Sequence, residues 1–307
     1  MNWDFLVQQL VSGLTLGSMY ALIALGYTMV YGILKLLNFA HGEVYMMGAF
    51  AGLGVMTALG GPDAPIVPVA LMLLVMFLAG MSASAVLAMG LERFAYRRLR
   101  NAPRIAPLIT ALGASFFLQS TALLLFGARR RSYDSAEYID LRGGIHWGPL
   151  NASPTRLLTI STTVTLMVLL TLLVSRTRLG KAMRAVSFDR EAAAMMGIDV
   201  DRVIVATFAI GGILAGAAGV MFGLVYFSVY HLMGFTAGLK GFTAAVVGGI
   251  GNIPGAMLGG LLIGLAESFS AAYVSSTFQD LIVFSILIVV MLARPSGLLG
   301  RADIKKV

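Results

Sequence analysis

Long apolar runs set the first limit on how this chain folds. Of its 307 residues, 58% are hydrophobic and only 12% are charged, with a mean hydropathy of +0.88. A soluble domain carries about 25% charged residues, so this composition indicates an integral membrane protein. The runs are long and rich in Leu, Ala, Gly, Met and Val, which favours helices over the short alternating strands of a barrel. We therefore expect an all-α polytopic membrane protein.

Nine apolar segments divide the chain, which we treat as a single transmembrane domain over residues 1–307. A helix needs about 20 residues to cross the hydrocarbon core. The segment 237–251 is shorter, so we expect a half-helix or re-entrant piece there, and eight or nine crossings in total. The segments are 5–34, 42–60, 66–91, 105–127, 157–175, 203–228, 237–251, 254–274 and 277–293.

Arginine and lysine set the predicted orientation. They are concentrated in three polar stretches, 93–104, 176–202 and 294–306, which by the positive-inside rule face the cytoplasm. The loop 128–156 then lies on the periplasmic side, although its Arg129–Arg131 run opposes that assignment. Nine crossings place the N-terminus outside, and eight place it inside. Because this orientation explains the net charge of +8, the charge does not indicate nucleic-acid binding.

The polar stretch 176–202 contains a short amphipathic helix of its own. Ser187 is predicted to cap the N-terminus of about ten helical residues, and Gly197 supplies the left-handed residue that ends them. One face is apolar and rich in methionine, which is typical of a surface that another protein binds. The alternative is an ordinary connecting loop with a fragment of interfacial helix. The apolar face consists of Phe188, Ala192, Met195 and Met196.

The same stretch resembles a known coupling motif. Glu191, Ala192 and Ala193, followed by Gly197, are similar to the EAA loop of bacterial ABC importer permeases, which docks in a cleft of the ATP-binding subunit. The resemblance implies that 176–202 is a cytoplasmic coupling loop. The residues implied to couple to the ATPase are Ser187, Phe188, Glu191, Ala192, Ala193, Met195, Met196 and Gly197.

A second polar group interrupts the sequence between the first two apolar segments. Ionisable side chains near a hydrophobic span cost several kcal/mol unless they are paired or hydrated. Three interpretations stay open: a tight polar turn in which Asn38 and His41 cap backbone groups and Glu43 lies near a helix N-terminus, a lining of the translocation path, or a contact with an ATPase. A single histidine with one carboxylate makes a poor metal site. The residues are Lys35, Asn38, His41 and Glu43.

Glu267 is the one acid well inside a late apolar segment. It is expected either to bond with Ser268 or Ser270 or to serve as a gate or path residue. Lys240 and Gln119 are similar single polar residues in apolar surroundings. These three positions are candidates for the translocation path, without a chain of acids and bases such as a proton-driven pump needs.

Nothing in the sequence indicates an enzyme. No nucleophile, paired acids or metal-ligand set is visible, and the absence of cysteine excludes disulfides and thiol chemistry. Gly180–Lys181 is followed by Ala182, and Ser175 stands where a phosphate-binding loop has its first glycine. ATP hydrolysis by that mechanism is therefore not expected in this chain.

The two halves of the chain show a weak similarity to each other. Glycine-rich helix pairs meet a short polar break at Lys35–Glu43 and again at Lys240–Pro254. Interrupted segments at matching places in two halves are typical of transporter repeats.

Five collinear blocks resemble the H-type permease subunits of branched-chain amino acid ABC transporters. The longest block, residues 13–50, reads GLTLGSMYALIALGYTMVYGILKLLNFAHGEVYMMGAF. The others are 92–100, 179–202, 241–260 and 294–301, so the resemblance extends over nearly the whole chain.

This resemblance implies an ABC importer permease fold in the bacterial inner membrane, surrounded by lipid. The implied partners are a homologous M-type permease, two cytoplasmic ATP-binding subunits and a periplasmic binding protein that delivers leucine, isoleucine or valine. The chain is expected to hold no cofactor of its own, since ATP and Mg belong to the partner ATPases. Alternating access would follow from docking of the helix at 187–197.

Two alternatives remain at this point. Related permeases carry urea, short amides or other amino acids, so the substrate could differ within the same architecture. An ATP-independent channel or secondary transporter is the alternative from another class, and it leaves the apolar face at 188–196 unexplained.

Overall fold

A computed structural model describes residues 3–60, 67–100, 102–103, 105–133, 145–147 and 150–300, and within these ranges the chain is almost entirely helical. The α-helices are α1 (Trp3–Leu34), α2 (His41–Ala58), α3 (Val69–Leu91), α4 (Ile105–Phe126), α5 (Pro154–Arg176), α6 (Arg178–Phe188), α7 (Arg190–Met195), α8 (Val200–Tyr226), α9 (Met233–Gly248), α10 (Ile253–Tyr273) and α11 (Gln279–Ala293).

Short elements complete the fold. A π-helical turn (Glu92–Tyr96) and a 3₁₀ turn (Arg97–Leu99) extend α3, and a second 3₁₀ turn (Ser276–Phe278) precedes α11. Two antiparallel strand pairs join β1 (Arg131–Ser132) to β4 (Ser228–Val229) and β2 (Ile145–Trp147) to β3 (Leu150–Ala152). Residues 134–144 and 148–149 of the predicted periplasmic loop 128–156 lie outside the described residues.

The expectation of an all-α polytopic membrane protein is confirmed. All nine predicted apolar segments contain a helix, and seven helices are long and apolar enough to cross a membrane: α1, α3 with its extension, α4, α5, α8, α10 and α11. The helices in the other two segments, α2 and α9, are not among these seven. Helix α2 begins with His41 and Glu43, and α9, which corresponds to the short segment predicted at 237–251, has only 16 residues.

Burial separates central helices from peripheral ones. In the most apolar part of α1 and of α8, 72% of the residues are buried, against 6% in α11. The central helices are rich in Gly, Ala and Ser, which let backbones approach closely in lipid, where apolar burial alone drives no association. Helices α4, α5 and α11 therefore present their large apolar side chains to lipid or to another subunit.

The helices α1–α3 and α8–α10 form two similar units that run in opposite directions. Helix α1 packs antiparallel on α10, where Gly13 approaches Leu265 and Gly17 approaches Leu261. In the same way α3 packs antiparallel on α8, so that Gly80 approaches Gly216. The first helix of each unit thus packs against the third helix of the other unit, which is the arrangement of an inverted repeat in a transporter.

Both units break at a residue in the left-handed conformation. Lys35 follows α1 with a φ of 56°, and Phe227 follows α8 with a φ of 54°; no other described non-glycine residue has a positive φ. Helices α2 and α9 then begin six residues after these positions, at His41 and Met233. The prediction of a second matching break at Lys240–Pro254 was wrong, because Lys240 lies inside α9.

The second helix of each unit starts inside the protein. The His41 side chain lies against Gly26, eight residues before the end of α1, which corresponds to about 12 Å at a rise of 1.5 Å per residue. The first turns of α2 and α9 meet there, where Gly42 packs against Gly234 and Gly238. A side chain on Gly42 would place its Cβ 2.8 Å from the Gly238 Cα, so this close approach requires glycine.

The two ends of the helix bundle differ in charge. At one end Arg100 pairs with Asp201 and Arg190 bonds to the Ile33 carbonyl, so the basic stretches before α4 and α8 lie together. At the other end Arg156 donates to Ser12 near the start of α1. By the positive-inside rule we expect the first end to face the cytoplasm and the start of α1 to lie outside, and the two ends are called cytoplasmic and external on that basis.

Candidate functional site

The predicted coupling stretch folds as two short helices rather than one. Helix α6 ends at Phe188, and α7 is a separate helix of six residues, Arg190–Met195. The prediction that Ser187 caps this helix was wrong: Ser187 lies within α6, and its hydroxyl donates to the Arg184 carbonyl. Asp189 is the cap instead, and its carboxylate accepts from the backbone N–H groups of Glu191 and Ala192.

Gly197 ends this segment in the predicted way. Its φ of +81° is left-handed, and its N–H donates to the Ala194 carbonyl while that of Ile198 donates to the Ala193 carbonyl. These bonds satisfy carbonyls at the end of α7 that have no partner within the helix.

An exposed apolar surface results, which we call the α7 ridge: Phe188, Ala192, Met195 and Met196. Phe188 is 92% exposed, Met195 86% and Met196 82%, and Ala192 is exposed as well. Ala193, on the opposite face, is 4% exposed and holds α7 on the protein. Exposure of this much apolar surface outside the membrane is unusual unless another protein covers it.

Arg190 connects the α7 ridge to the central helix α1. Its guanidinium donates to the Ile33 carbonyl at 2.9 Å, in the last turn of α1, immediately before Lys35. Burial lowers the pKa of Arg190, and the charge of Arg100 lowers it further. The side chain remains a cation, because arginine does not deprotonate in proteins. This charged hydrogen bond links α7 to the end of α1.

A charged network lies beside this connection. The Glu92 carboxylate is fully buried and accepts from Arg100 and from Arg97, the latter at 3.4 Å. Both arginines also pair with Asp201 in the first turn of α8. The network joins the end of α3 to the start of α8, and no sequence pattern indicates that Glu92 and Asp201 share these partners.

The polar residues before and within α2 are buried. Asn38 and His41 are 3% and 2% exposed. Neither caps α2: the side-chain oxygen of Asn38 accepts from the Tyr96 hydroxyl at 2.6 Å, and the His41 ring packs edge-to-face on the Tyr27 ring of α1, with the centroids 5.0 Å apart. The expectation that these side chains cap the turn was therefore wrong, because the nearby helices α1 and α3 supply their partners.

Glu43 lies in the first turn of α2, as predicted, and is completely buried. One carboxylate oxygen accepts from Ser115 at 3.0 Å and from Gln119 at 2.8 Å, both on α4. Among the described residues no group of three potential metal ligands occurs. Lys35 differs from its neighbours, since it is exposed beside the Tyr31 ring and lines a cavity of about 450 Å³ at the cytoplasmic end.

Glu267 belongs to a different polar group, next to a cavity of about 420 Å³ at the external end. It does not bond to Ser268 or Ser270. Its carboxylate accepts from Lys240 at 2.7 Å and from the Tyr20 hydroxyl at 3.0 Å. Lys240 also pairs with Asp280 on α11 at 2.7 Å. The two residues that stood alone in the sequence thus form an ion pair.

Comparison with known proteins agrees with this architecture. The family described as branched-chain amino acid transport system / permease component matches residues 9–292. The chain belongs to this family. The permease is 44% identical over 306 residues to the high-affinity branched-chain amino acid transport system permease protein BraD of Pseudomonas aeruginosa, which covers 98% of both chains.

Two further relatives show the range of similarity. The permease is 43% identical to the high-affinity branched-chain amino acid transport system permease protein LivH of Escherichia coli K12, over 99% of this chain and 98% of LivH. It is 27% identical to a probable branched-chain amino acid transport permease protein of Methanocaldococcus jannaschii, over 94% and 90% of the two chains. The resemblance stated from the sequence blocks is therefore confirmed for the whole chain.

Sequence reasoning missed several polar residues that the fold brings together. Tyr20 and Arg156 line the external cavity and Asp280 pairs with Lys240, yet in the sequence each stands in or next to an ordinary apolar segment. A usable signal was the pairing rule for intramembrane charges: a buried Glu267 requires a cation, and Lys240 is the other buried charge in the late segments.

Proposed function

We propose that this permease is the membrane-spanning subunit of an ATP-driven importer in the bacterial inner membrane, and that it translocates branched-chain amino acids. The proposal extends to this chain the activity that the names of BraD and LivH state. The exposed α7 ridge supports the claim that ATP drives this permease. It is a surface for binding another protein, on a chain that has no ATP-binding loop of its own.

The partners of such an importer are a second permease of the M type, two ATP-binding subunits that hold ATP and Mg, and a periplasmic binding protein. The α7 ridge docks in a cleft of one ATPase, and closure of the ATPase dimer moves α7. Arg190 passes this movement to the end of α1, and Lys35 marks the point where the chain turns back toward α2. Because α1 packs on both α8 and α10, the displacement reaches the two units together.

The candidate path residues have separate roles in this proposal. Lys35 borders the cytoplasmic cavity, and Glu267 borders the external one, so these two lie where a substrate passes. Asn38, His41 and Glu43 are buried among α1, α3 and α4 and hold the break before α2 in place. We assign them a positioning role at the point where α2 meets α9.

The test is leucine uptake by a bacterial strain that lacks its own branched-chain importer and expresses this chain with its companion subunits. Replacement of Met195 and Met196 by Asp should abolish uptake and release the ATPases in a mild-detergent pull-down, while the second permease still copurifies. Arg202→Gln is the control: it makes the charge of an exposed side chain close by more negative by one unit, against two units in the test variant, and should leave both unchanged.

Two results would contradict the proposal. Normal leucine uptake by the Met195→Asp, Met196→Asp variant would remove the coupling role of the α7 ridge. Uptake of leucine by the wild-type chain without any ATPase would favour a channel or secondary transporter.

A further inference from the structure

A groove runs between α3 and α4 on the lipid-facing side of the helix bundle. Helix α4 packs on α2 and on the π-helical turn that follows α3, and a space of about 680 Å³ stays open along α3 itself. One face of each helix lines this space, because the lining residues recur every three or four positions. They include Val86, Gly90 and Phe94 on α3 and its extension, and Thr110, Gly113 and Phe117 on α4.

Two glycines leave this groove open. A Cβ at Gly90 or at Gly113 would meet no atom within 4 Å, so neither glycine serves a close approach between helices. Phe94 and Phe117 line the same space and are strongly exposed, whereas Leu118 is buried at its floor. A flexible hydrocarbon chain fills such an apolar space in a membrane, because an empty space would forfeit the dispersion contacts of its lining.

The length of the groove matches one leaflet of a bilayer. From Val86 to Ala95 the chain rises about 13 Å at 1.5 Å per residue, and from Thr110 to Leu118 it rises about 12 Å. Half of the hydrocarbon core is about 15 Å thick. The groove therefore accommodates an acyl chain from the leaflet at the cytoplasmic end, where α3 stops and α4 begins.

Two arginines without an acidic partner lie at the polar end of this groove. Arg93 and Arg98 are exposed and lie within about one turn of the groove lining, so both long side chains can reach the head of a lipid that occupies the groove. In the part of the chain that the structure describes, no carboxylate is within salt-bridge distance of either one. Arg97 and Arg100 differ, since both pair with Glu92.

A phospholipid with a net negative charge matches both parts of this arrangement. Arginine binds phosphate oxygens through charge-assisted hydrogen bonds, often two at once. Basic pockets between membrane helices on the cytoplasmic side bind acidic lipid headgroups. The lining of the groove, which is apolar except for Thr110, suits the acyl chain. A free phosphate ion would use only the arginines and would leave the groove empty.

We propose that the groove between α3 and α4 is a binding site for an anionic phospholipid, with its phosphate at Arg93 and Arg98 and one acyl chain between Gly90 and Gly113. The site is separate from the cytoplasmic and external cavities and does not depend on which substrate the permease carries. It adjoins the Glu92 network, so the lipid lies beside the link between α3 and α8.

The test is photocrosslinking in nanodiscs that contain the complete transporter. Two probes carry the same diazirine-labelled acyl chains: phosphatidylglycerol, which is anionic, and phosphatidylcholine, which has no net charge. Peptide mass spectrometry measures the labelling of 86–95 and 110–118 and of the rest of the chain. Phosphatidylglycerol should label the groove about tenfold more than phosphatidylcholine, the effect of two arginines on an anionic headgroup, and the ratio should be close to one in other lipid-facing segments.

One pair of variants tests the headgroup. Arg93→Gln combined with Arg98→Gln should bring the labelling ratio in the groove close to one, because only the anionic headgroup loses its partners. The control is Arg176→Gln combined with Arg178→Gln, which removes two exposed positive charges outside the groove at the same end of the protein. The control should leave the ratio unchanged.

A second set of variants tests the acyl chain. Gly113→Leu should lower labelling of the groove by both lipids, since its side chain occupies the space of the acyl chain. Gly90→Leu fills the same space from α3 and repeats the test if Gly113→Leu does not assemble. Gly54→Leu, on α2, also adds a leucine where a Cβ meets no atom within 4 Å, and should leave labelling of the groove unchanged.

Several results would overturn the site. An equal labelling ratio in the groove and elsewhere would show that the groove does not select the anionic lipid. An equal loss in both arginine pairs would mean that charge acts over the whole surface rather than at the groove. Unchanged labelling in the Gly113 and Gly90 variants would remove the acyl chain from this space. Absence of labelling by either lipid would mean that a second subunit covers the groove in the assembled transporter.

Discussion

Buried charges in this permease are paired across large separations in sequence. Glu92 accepts from two arginines that in turn hold Asp201, 109 positions further along the chain. Removing one partner of a buried pair is costly, because the other charge is left without compensation in surroundings that solvate it poorly.

Glu92→Gln should therefore lower the stability of the detergent-solubilised permease by about 3 kcal/mol, since Arg97 and Arg100 lose their buried anion and keep only the half-exposed Asp201. The measurement is the midpoint of thermal unfolding, followed by intrinsic fluorescence. Arg202→Gln removes an exposed ion pair with Asp199 and should leave the midpoint unchanged. An equal midpoint for Glu92→Gln and the wild type would show that the network contributes nothing to stability.

At this scale, the sequence identified which residues are unusual but not what they contact. Glu43, Glu267 and Lys240 stand out because charges are rare in apolar segments. Their partners depend on how helices pack, and periodicity within one helix does not contain that information. In the sequence Lys240 and Glu267 therefore stand as single residues, although the fold pairs them at 2.7 Å.

Among the secondary-structure elements, α7 is the one whose end was predicted from the local sequence while its start was not. The apolar spacing and Gly197 predicted an exposed ridge and a left-handed end, and the structure has both. The start was placed wrongly because Ser187 and Asp189 are both good caps, and α6 continues through Ser187 to Phe188.

Gly197→Ala tests the left-handed end of α7 with little steric complication, because a Cβ at this position would meet no atom within 4 Å. An L-residue in this conformation costs about 1 kcal/mol, so the end of α7 should open more often. Hydrogen exchange of the Ile198 amide should rise about fivefold, and leucine uptake should fall.

The control for this substitution is Gly113→Ala, in the middle of α4. A Cβ there also meets no atom within 4 Å, but its φ lies in the ordinary range, so alanine is compatible with the helix. Exchange at Ile198 should then match that of the wild type. Unchanged exchange in Gly197→Ala as well would mean that α7 does not depend on the left-handed glycine.

The long helices were predictable and the breaks between them were not. Apolar runs fix the nine segments because each must satisfy its backbone groups internally in lipid. The segments 203–228 and 237–251 predicted a break after α8, but not that it matches the break at Lys35, since Phe227 adopts a left-handed φ without the glycine or proline that usually marks a turn. Composition predicts the polar break at Lys240–Pro254 instead, because it does not contain the packing that places Lys240 inside α9.

For the molecule as a whole, the decisive feature is the meeting of α2 and α9. Each unit supplies one helix that begins inside the protein, and Gly42 and Gly234 let the two first turns approach. This contact joins the two oppositely oriented units at their centre, between the external cavity at Glu267 and the cytoplasmic cavity at Lys35. A rearrangement that opens one cavity and closes the other must change it.

Gly42→Ala should disturb the whole fold, because its Cβ would meet the backbone of Gly234 and Gly238, and backbone cannot turn aside as a side chain does. Overpacking of this kind costs about 1–3 kcal/mol, and we expect a clear fall in the unfolding midpoint together with loss of uptake. Gly54→Ala lies in the same helix with no atom within 4 Å of the added Cβ, and should leave both unchanged. If Gly42→Ala lowers uptake while the unfolding midpoint stays at the wild-type value, the contact governs movement between states rather than stability. If neither quantity changes, the junction between the two units is looser than the close approach of these glycines requires, and the coupling of the two cavities must run through α1 and α8 instead.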